Sequence, residues 1–129
     1  MFNFIIIDDN RIDLMVAAKA IEMSHVQHGE VKQFLGASEA IEFVKSYSPK
    51  NKTILLIDIQ MPVLTGFDFM EEFEKLPGKK KQKFICMFLS SSSNDIDRIR
   101  AQKFPSIVEF LNKPFTADSV LNIYKKLTI

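Results

Sequence analysis

The sequence predicts an α/β protein, a doubly wound five-stranded parallel sheet with five helices, from three coincident patterns. Five short apolar runs recur along the chain, and apolar residues at helical spacing fill the intervals between them. Four of the runs lead into acidic, hydroxyl or basic side chains. At 129 residues the chain fits one domain, 1–129, because a single hydrophobic core typically serves ~100–150 residues.

The strands are expected at Asn3–Ile7, Val31–Leu35, Thr53–Ile57, Phe84–Leu89 and Ile107–Leu111. Four are rich in Ile, Val, Leu and Phe with little polar alternation, as parallel strands covered on both faces must be. The second, VKQFL, is more polar and suits an edge. Helical stripes follow at Ile12, Met15, Val16 and Ala20, then at Ala40, Ile41, Val44 and Tyr47, then at Phe69, Met70 and Phe73. The fourth helix rests on Asn94 as a cap and on Ile96, Ile99 and Lys103, and it must stop near Phe104 because Pro105 follows. Val120, Leu121, Tyr124 and Leu127 form the last stripe, with Thr116 placed to cap its start. The lysine run GKKKQK, Gly78–Lys83, reads as a solvated loop between the third helix and the fourth strand.

Seventeen basic residues against sixteen acidic ones leave a formal charge of +1. No global field draws phosphate backbones or anionic lipid, so direct nucleic-acid and membrane partners are not expected. The start, MFNFIIIDDN, lacks a secretion leader, and no segment reaches the ~20 apolar residues that span a bilayer. Cys86 is the single cysteine and sits in FICMFL, which predicts a buried thiol. These features together point to the cytoplasm.

In open parallel sheets, ligands bind beyond the carboxyl ends of the strands. There the first strand leads into Asp8 and Asp9, the third into Asp58, the fourth into Ser90 and its serine neighbours, and the fifth into Asn112, Lys113 and Pro114. Taken singly, an Asp pair after a strand is a common helix cap and a lone Asp a common turn former. Taken together, three carboxylates in one crevice repel, by roughly 4 kcal/mol for a pair ~4 Å apart at an effective dielectric of ~20. Lys113 supplies one compensating charge, and a divalent cation would supply two more. Mg²⁺ suits this set, since one or two carboxylates plus waters and phosphate oxygens complete its octahedron, whereas Ca²⁺ takes more protein ligands. His25 and His28 fall together in a predicted loop or helix end away from the crevice, so no zinc site is expected.

Through IIIDDN, LLIDIQMPVLTGFDF, FLSSS and FLNKPF, the chain resembles the response-regulator receiver domain of two-component systems, over nearly all of its 129 residues. The resemblance implies a flavodoxin-like sheet of order 2-1-3-4-5, an order that receivers themselves exemplify among doubly wound folds and that is inherited from the family. It implies that Asp58 is the phosphoacceptor and that Mg²⁺ is bound by Asp9, Asp58 and the backbone carbonyl of Gln60, with Asp8 acting largely through water. Lys113 then resembles the lysine that pairs with Asp58 and later with the phosphoryl oxygens, and Ser90 the hydroxyl that hydrogen-bonds them. Met61, Pro62 and Gly66 would shape the loop beneath. Ser90 follows FL directly, but Ser91 remains open as the hydroxyl because the serine run extends from Ser90 to Ser93.

The resemblance also implies a switch in which Ser90 moves inward and Phe110 rotates into the space it leaves, altering the face made by the fourth helix, fifth strand and fifth helix. Phe110 stands where Tyr is frequent, so such a switch would rest on burial without a phenolic hydroxyl. The expected donor is a histidine kinase or a histidine phosphotransfer protein. With no effector domain, the chain would act through another protein, as a monomer or a phosphorylation-dependent dimer, and would be a phosphoacceptor and not an enzyme. A phosphorylation-independent interaction module with the same fold is the alternative. A flavin-binding protein is disfavoured because DDNRID would repel the FMN phosphate, and an aspartate-nucleophile phosphatase because Gln60 stands where its second acid belongs.

Overall fold

The computed structural model describes residues 1–92 and 94–128; Ser93, the last of the serine run, and Ile129 lie outside the described residues. Strands β1 (Phe2–Ile7), β2 (His28–Phe34), β3 (Thr53–Asp58), β4 (Phe84–Ser90) and β5 (Ile107–Asn112) form one sheet in the order β2-β1-β3-β4-β5. Every pairing is parallel. The polar second strand is an edge, as its composition predicts, and β5 is the other edge.

The central strands are apolar on both faces because both faces are covered. Ile54, Leu55, Leu56 and Ile57 are all fully buried, and each such side chain contributes about 2 kcal/mol through burial. Alternation along the strands divides the core in two. Ile5, Ile7, Leu55, Ile57, Cys86 and Phe88 face one layer, while Phe4, Ile6, Ile54, Leu56, Met87 and Leu89 face the other. Helices α2 (Ala37–Ser46), α3 (Gly66–Glu74) and α5 (Asp95–Ala101) supply residues to the first, and α1 (Arg11–Met23) and α6 (Ala117–Leu127) to the second.

Six helices are present among the described residues, one more than expected, because the lysine run folds. Gly78–Lys81 forms a single turn, α4. Lys80 donates to the Tyr47 carbonyl and Lys81 to the Glu74 carbonyl, which ties the turn to the ends of α2 and α3. The solvated-loop reading therefore needs correction at Gly78–Lys81, although the lysines remain at the surface.

The helical stripes need a second correction. Ile12, Met15 and Val16 point outward, while α1 buries Leu14, Ala17, Ala20 and Ile21. On α5, Ile96 and Ile99 are likewise exposed and only Ala101 is buried. On α6, Leu121 is outside and Ile123 inside. The stripes on α2 and α3 fall on the buried side as expected. Asn94 caps α5 through a 2.8 Å bond from the Ile96 amide, and Thr116 caps α6 through the Ser119 amide. His28 is not in a loop but opens β2, with its ring edge-on to Phe4; His25 follows α1 with a positive φ of 59. Cys86 is fully buried, and burial followed by the charge of Glu74 pushes its thiol well above the ordinary range. No helix among the described residues is long and apolar enough to cross a membrane.

Candidate functional site

The carboxyl ends of β1, β3, β4 and β5 converge because the strands are parallel and in register, with Ile7 opposite Ile57, Asp58 opposite Leu89 and Ser90 opposite Asn112. Asp8 follows β1 and is held by its own amide, which donates to the Phe34 carbonyl at 3.0 Å. Its Oδ1 accepts from the Asn10 amide at 3.0 Å, and the Asn10 side chain in turn caps α1 by accepting from the Ile12 and Asp13 amides. Asp9 is exposed beside it. Asp58 is the last residue of β3 and is buried; its Oδ1 accepts from the Gln60 amide at 3.4 Å.

One carboxylate oxygen from each of Asp8, Asp9 and Asp58 lies within 4.8 Å of the others. This is a set of hard oxygen donors with no His or Cys among them, which suits Mg²⁺ and not zinc. The electrostatics agree with that fit. Asp58 is pushed up from 3.8 to about 7, first by burial and then by the charge of Asp8; Lys113 and the Gln60 amide oppose the rise without cancelling it, and Asp9 adds to it. A carboxylate so disfavoured in its charged form calls for additional positive charge.

Lys113 reaches the site from the turn after β5, before the cis peptide bond to Pro114. Its amide donates to the Ser90 carbonyl at 2.7 Å, which fixes the end of β5 against the end of β4. Its ammonium donates to Asp8 Oδ2 at 2.7 Å and to Asp13 Oδ2 at 2.8 Å, and lies 3.5 Å from Asp58 Oδ1. Burial alone would lower the ammonium, but the hydrogen bonds to Asp13 and Asp8 and the charge of Asp58 hold it well above the ordinary lysine range. Ser90 is completely buried, and its Oγ accepts from the Ser92 amide at 3.1 Å, whereas Ser91 is exposed. Met61, within the β3–α3 loop, is buried, and Gly66 donates its amide to the Ile59 carbonyl at 3.0 Å.

A family model, the response regulator receiver domain, matches residues 4–125. The chain belongs to the response-regulator receiver family. The receiver also superimposes on a response regulator receiver protein from Dyadobacter fermentans with a TM-score of 0.88 and 28% identity, covering 99% of this chain and 98% of that one. A two-component response regulator from Cytophaga hutchinsonii gives a TM-score of 0.85 and 26% identity, covering 99% and 97%. Among curated proteins, a probable transcriptional regulator, ycf29, from Porphyra purpurea is 26% identical over 113 residues, or 87% of this chain. The receiver spans about half the length of that relative, 51%.

Of the expected site residues, the receiver brings Asp8, Asp9, Asp58 and Lys113 into one cluster. Ser90 ends the neighbouring strand, and Gln60 lies two residues beyond Asp58, bonded to it through its amide. Phe110 stands earlier on β5, two residues before its end, opposite Phe88, half-buried and covered by the Arg98 guanidinium at 4.6 Å from the ring centre. Sequence reasoning missed two participants. Asp13 has a signal in its spacing of four from Asp9 at the start of a helix, but its partner is 100 residues away. Arg98 carries no signal that separates it from any other solvated arginine of α5.

Proposed function

We propose that this receiver accepts a phosphoryl group on Asp58 from the phosphohistidine of a kinase or a histidine phosphotransfer protein, and that the modification changes its partner-binding face. The observation that carries this reading is the cluster of Asp8, Asp9 and Asp58, whose oxygens lie within 4.8 Å, facing a lysine ammonium 3.5 Å from Asp58. Asp8, Asp9, Asp58 and the backbone carbonyl of Gln60 would hold Mg²⁺. Bound there, the ion supplies positive charge to the oxygens of the transferring group.

The chain's own residues do the rest. An Asp58 carboxylate oxygen attacks phosphorus in line, the phosphorus–nitrogen bond breaks, and the electron pair returns to the donor imidazole. Lys113 places its ammonium against the developing charge. The resulting acyl phosphate carries roughly −2 charge where a carboxylate stood, which gives the Lys113 ammonium and the Ser90 hydroxyl new acceptors. Ser90 is favoured over Ser91 as that hydroxyl because Ser90 is buried at the strand end and Ser91 faces solvent.

Phe110 is the proposed switch ring, and the face it would alter comprises α5, β5 and α6. Ile99, Val108 and Leu121 are exposed there at 62%, 57% and 46%, apolar surface that a downstream protein would cover. The domain assignment of 1–129 and a cytoplasmic location belong to the same reading; a single buried thiol needs no oxidising compartment.

The test is incubation with Mg²⁺ and acetyl phosphate, followed by intact mass of the wild type and of Asp58→Asn. The wild type should gain the mass of one phosphoryl group and the variant none. A folded wild type that stays unmodified would favour the phosphorylation-independent interaction module.

A further inference from the structure

The Lys113 ammonium pairs with Asp58 by charge, but its hydrogen bonds go to two other carboxylates. It donates to Asp8 at 2.7 Å and to Asp13 at 2.8 Å, and stands off from Asp58 at 3.5 Å. Asp8 belongs to the acidic cluster, but Asp13 does not: it projects from the first turn of α1, with its side chain 37% exposed. The Asn10 amide, from which an acid at this helical position can accept, donates instead to Asp8 Oδ1, which leaves the Asp13 carboxylate to Lys113. We propose that Asp13 is a positioning residue that tethers Lys113 at rest and competes with the phosphoryl group for it.

An ammonium has three N–H donors, and two are taken by Asp8 and Asp13. The third is left for Asp58, 3.5 Å away, so for Lys113 to turn a second donor to the oxygens added there, one of these bonds must open. Asp8 is nearly fully buried and cannot recover water easily, whereas the Asp13 carboxylate can turn to solvent. Asp13 is therefore the partner released. A phosphoryl group of roughly −2 charge outcompetes a single carboxylate, so the transfer runs toward Asp58 once it is modified. The tether weakens the hold of the resting site on any phosphoryl-like anion, and its release returns an unpaired carboxylate to the start of α1, between exposed Ile12 and Met15.

An acidic residue in a first helical turn also serves the helix dipole, and removing any negative charge favours a nearby anion. The experiment separates these effects from the tether. Beryllofluoride with Mg²⁺ is titrated into the full chain as a phosphoryl mimic, in the wild type, Asp13→Asn, Asp13→Glu, Lys113→Met and the double variant Asp13→Asn/Lys113→Met. In parallel, the ¹⁵N signal of the Lys113 ammonium and its proton exchange are followed in the resting wild type and Asp13→Asn, without Mg²⁺ or beryllofluoride.

Asp13→Asn should bind beryllofluoride about threefold more tightly, the scale of a partly exposed ion pair. Asp13→Glu should return most of the way to the wild type. The Asp13→Asn effect should vanish in the Lys113→Met background, and the ammonium protons should exchange faster in resting Asp13→Asn. An equal gain with and without Lys113 would reduce Asp13 to a background charge and overturn the tether. So would unchanged ammonium exchange, or unchanged affinity in a variant that folds by circular dichroism. The inference rests on Asp58 as phosphoacceptor. Failure of the wild type to bind beryllofluoride would sink that reading and the competition with it, while the resting ammonium signal would still report whether Asp13 holds Lys113.

Discussion

Gly66 lies so close beneath Asp58 that a Cβ at residue 66 would stand 2.5 Å from the Asp58 carbonyl oxygen and 3.0 Å from the Ile59 Cα. Both obstacles are backbone, so no side-chain rotation relieves the contact. Gly66→Ala should destabilise the receiver by about 2 kcal/mol, the usual scale of overpacking, and should slow phosphorylation by acetyl phosphate because the end of β3 must shift. Urea unfolding and intact-mass kinetics measure the two effects. A variant as stable as the wild type would show that the β3–α3 loop yields more readily than the contact implies.

Val63, in the same loop, has a φ of 70 and is 99% exposed. A β-branched residue is strained in that left-handed region, and here its side chain gains nothing from packing. Val63→Asn or Val63→Gly should therefore raise stability by about 1 kcal/mol, read as a higher urea midpoint at unchanged slope. A lower midpoint in both variants would contradict the strain.

Burial, and then the charge of Asp8, push Asp58 up from an ordinary 3.8 to about 7 in the folded receiver. Between these values the folded chain holds a proton that the unfolded chain has released, so the contribution of this group to stability is fully present below the lower value and is lost as pH rises through the higher. A cation bound at the cluster would take the place of that proton. Stabilisation by Mg²⁺ should accordingly be larger at about pH 8 than at about pH 5, and Asp58→Asn should flatten both the pH slope and the difference. Melting temperatures with and without Mg²⁺ decide this; an equal Mg²⁺ shift at both pH values would count against it.

Arg98 covers the Phe110 ring at 4.6 Å. Without a phenolic hydroxyl, this half-buried ring is held by packing against the core and by that guanidinium. Arg98→Ala should cost about 0.5 kcal/mol, an ordinary exposed cation–π contact, and should shift the ring toward Phe88, its neighbour across the strand pair. Aromatic chemical shifts of Phe88 and Phe110 report the movement. Unchanged shifts in a folded variant would mean that Arg98 exerts no hold on the ring.

What was legible in the sequence follows from what each kind of residue must do. The strands could be read closely because β1, β3 and β4 are apolar on both faces, so hydropathy alone marks them. Asp8, Asp9, Asp58 and Lys113 could be read because a parallel sheet sends every strand end to one edge. Helix faces were harder. Ile12, Met15 and Val16 have the same helical spacing and hydropathy as a core stripe, yet the sheet takes Leu14, Ala17 and Ile21. The short turn at Gly78–Lys81 is set by carbonyls of Tyr47 and Glu74, which no local pattern announces. The pairing of Asp13 with Lys113 could not be read because the two lie 100 residues apart.

The 2.7 Å bond from the Lys113 amide to the Ser90 carbonyl joins two strand ends that flank Asp58 from one side. A displacement of the Ser90 main chain would therefore pull on the Lys113 backbone, so the hydroxyl and the ammonium would move as one jaw with a shared hinge. Closing it on a modified Asp58 would drag the start of α6 as well, through the three residues between Lys113 and Ala117.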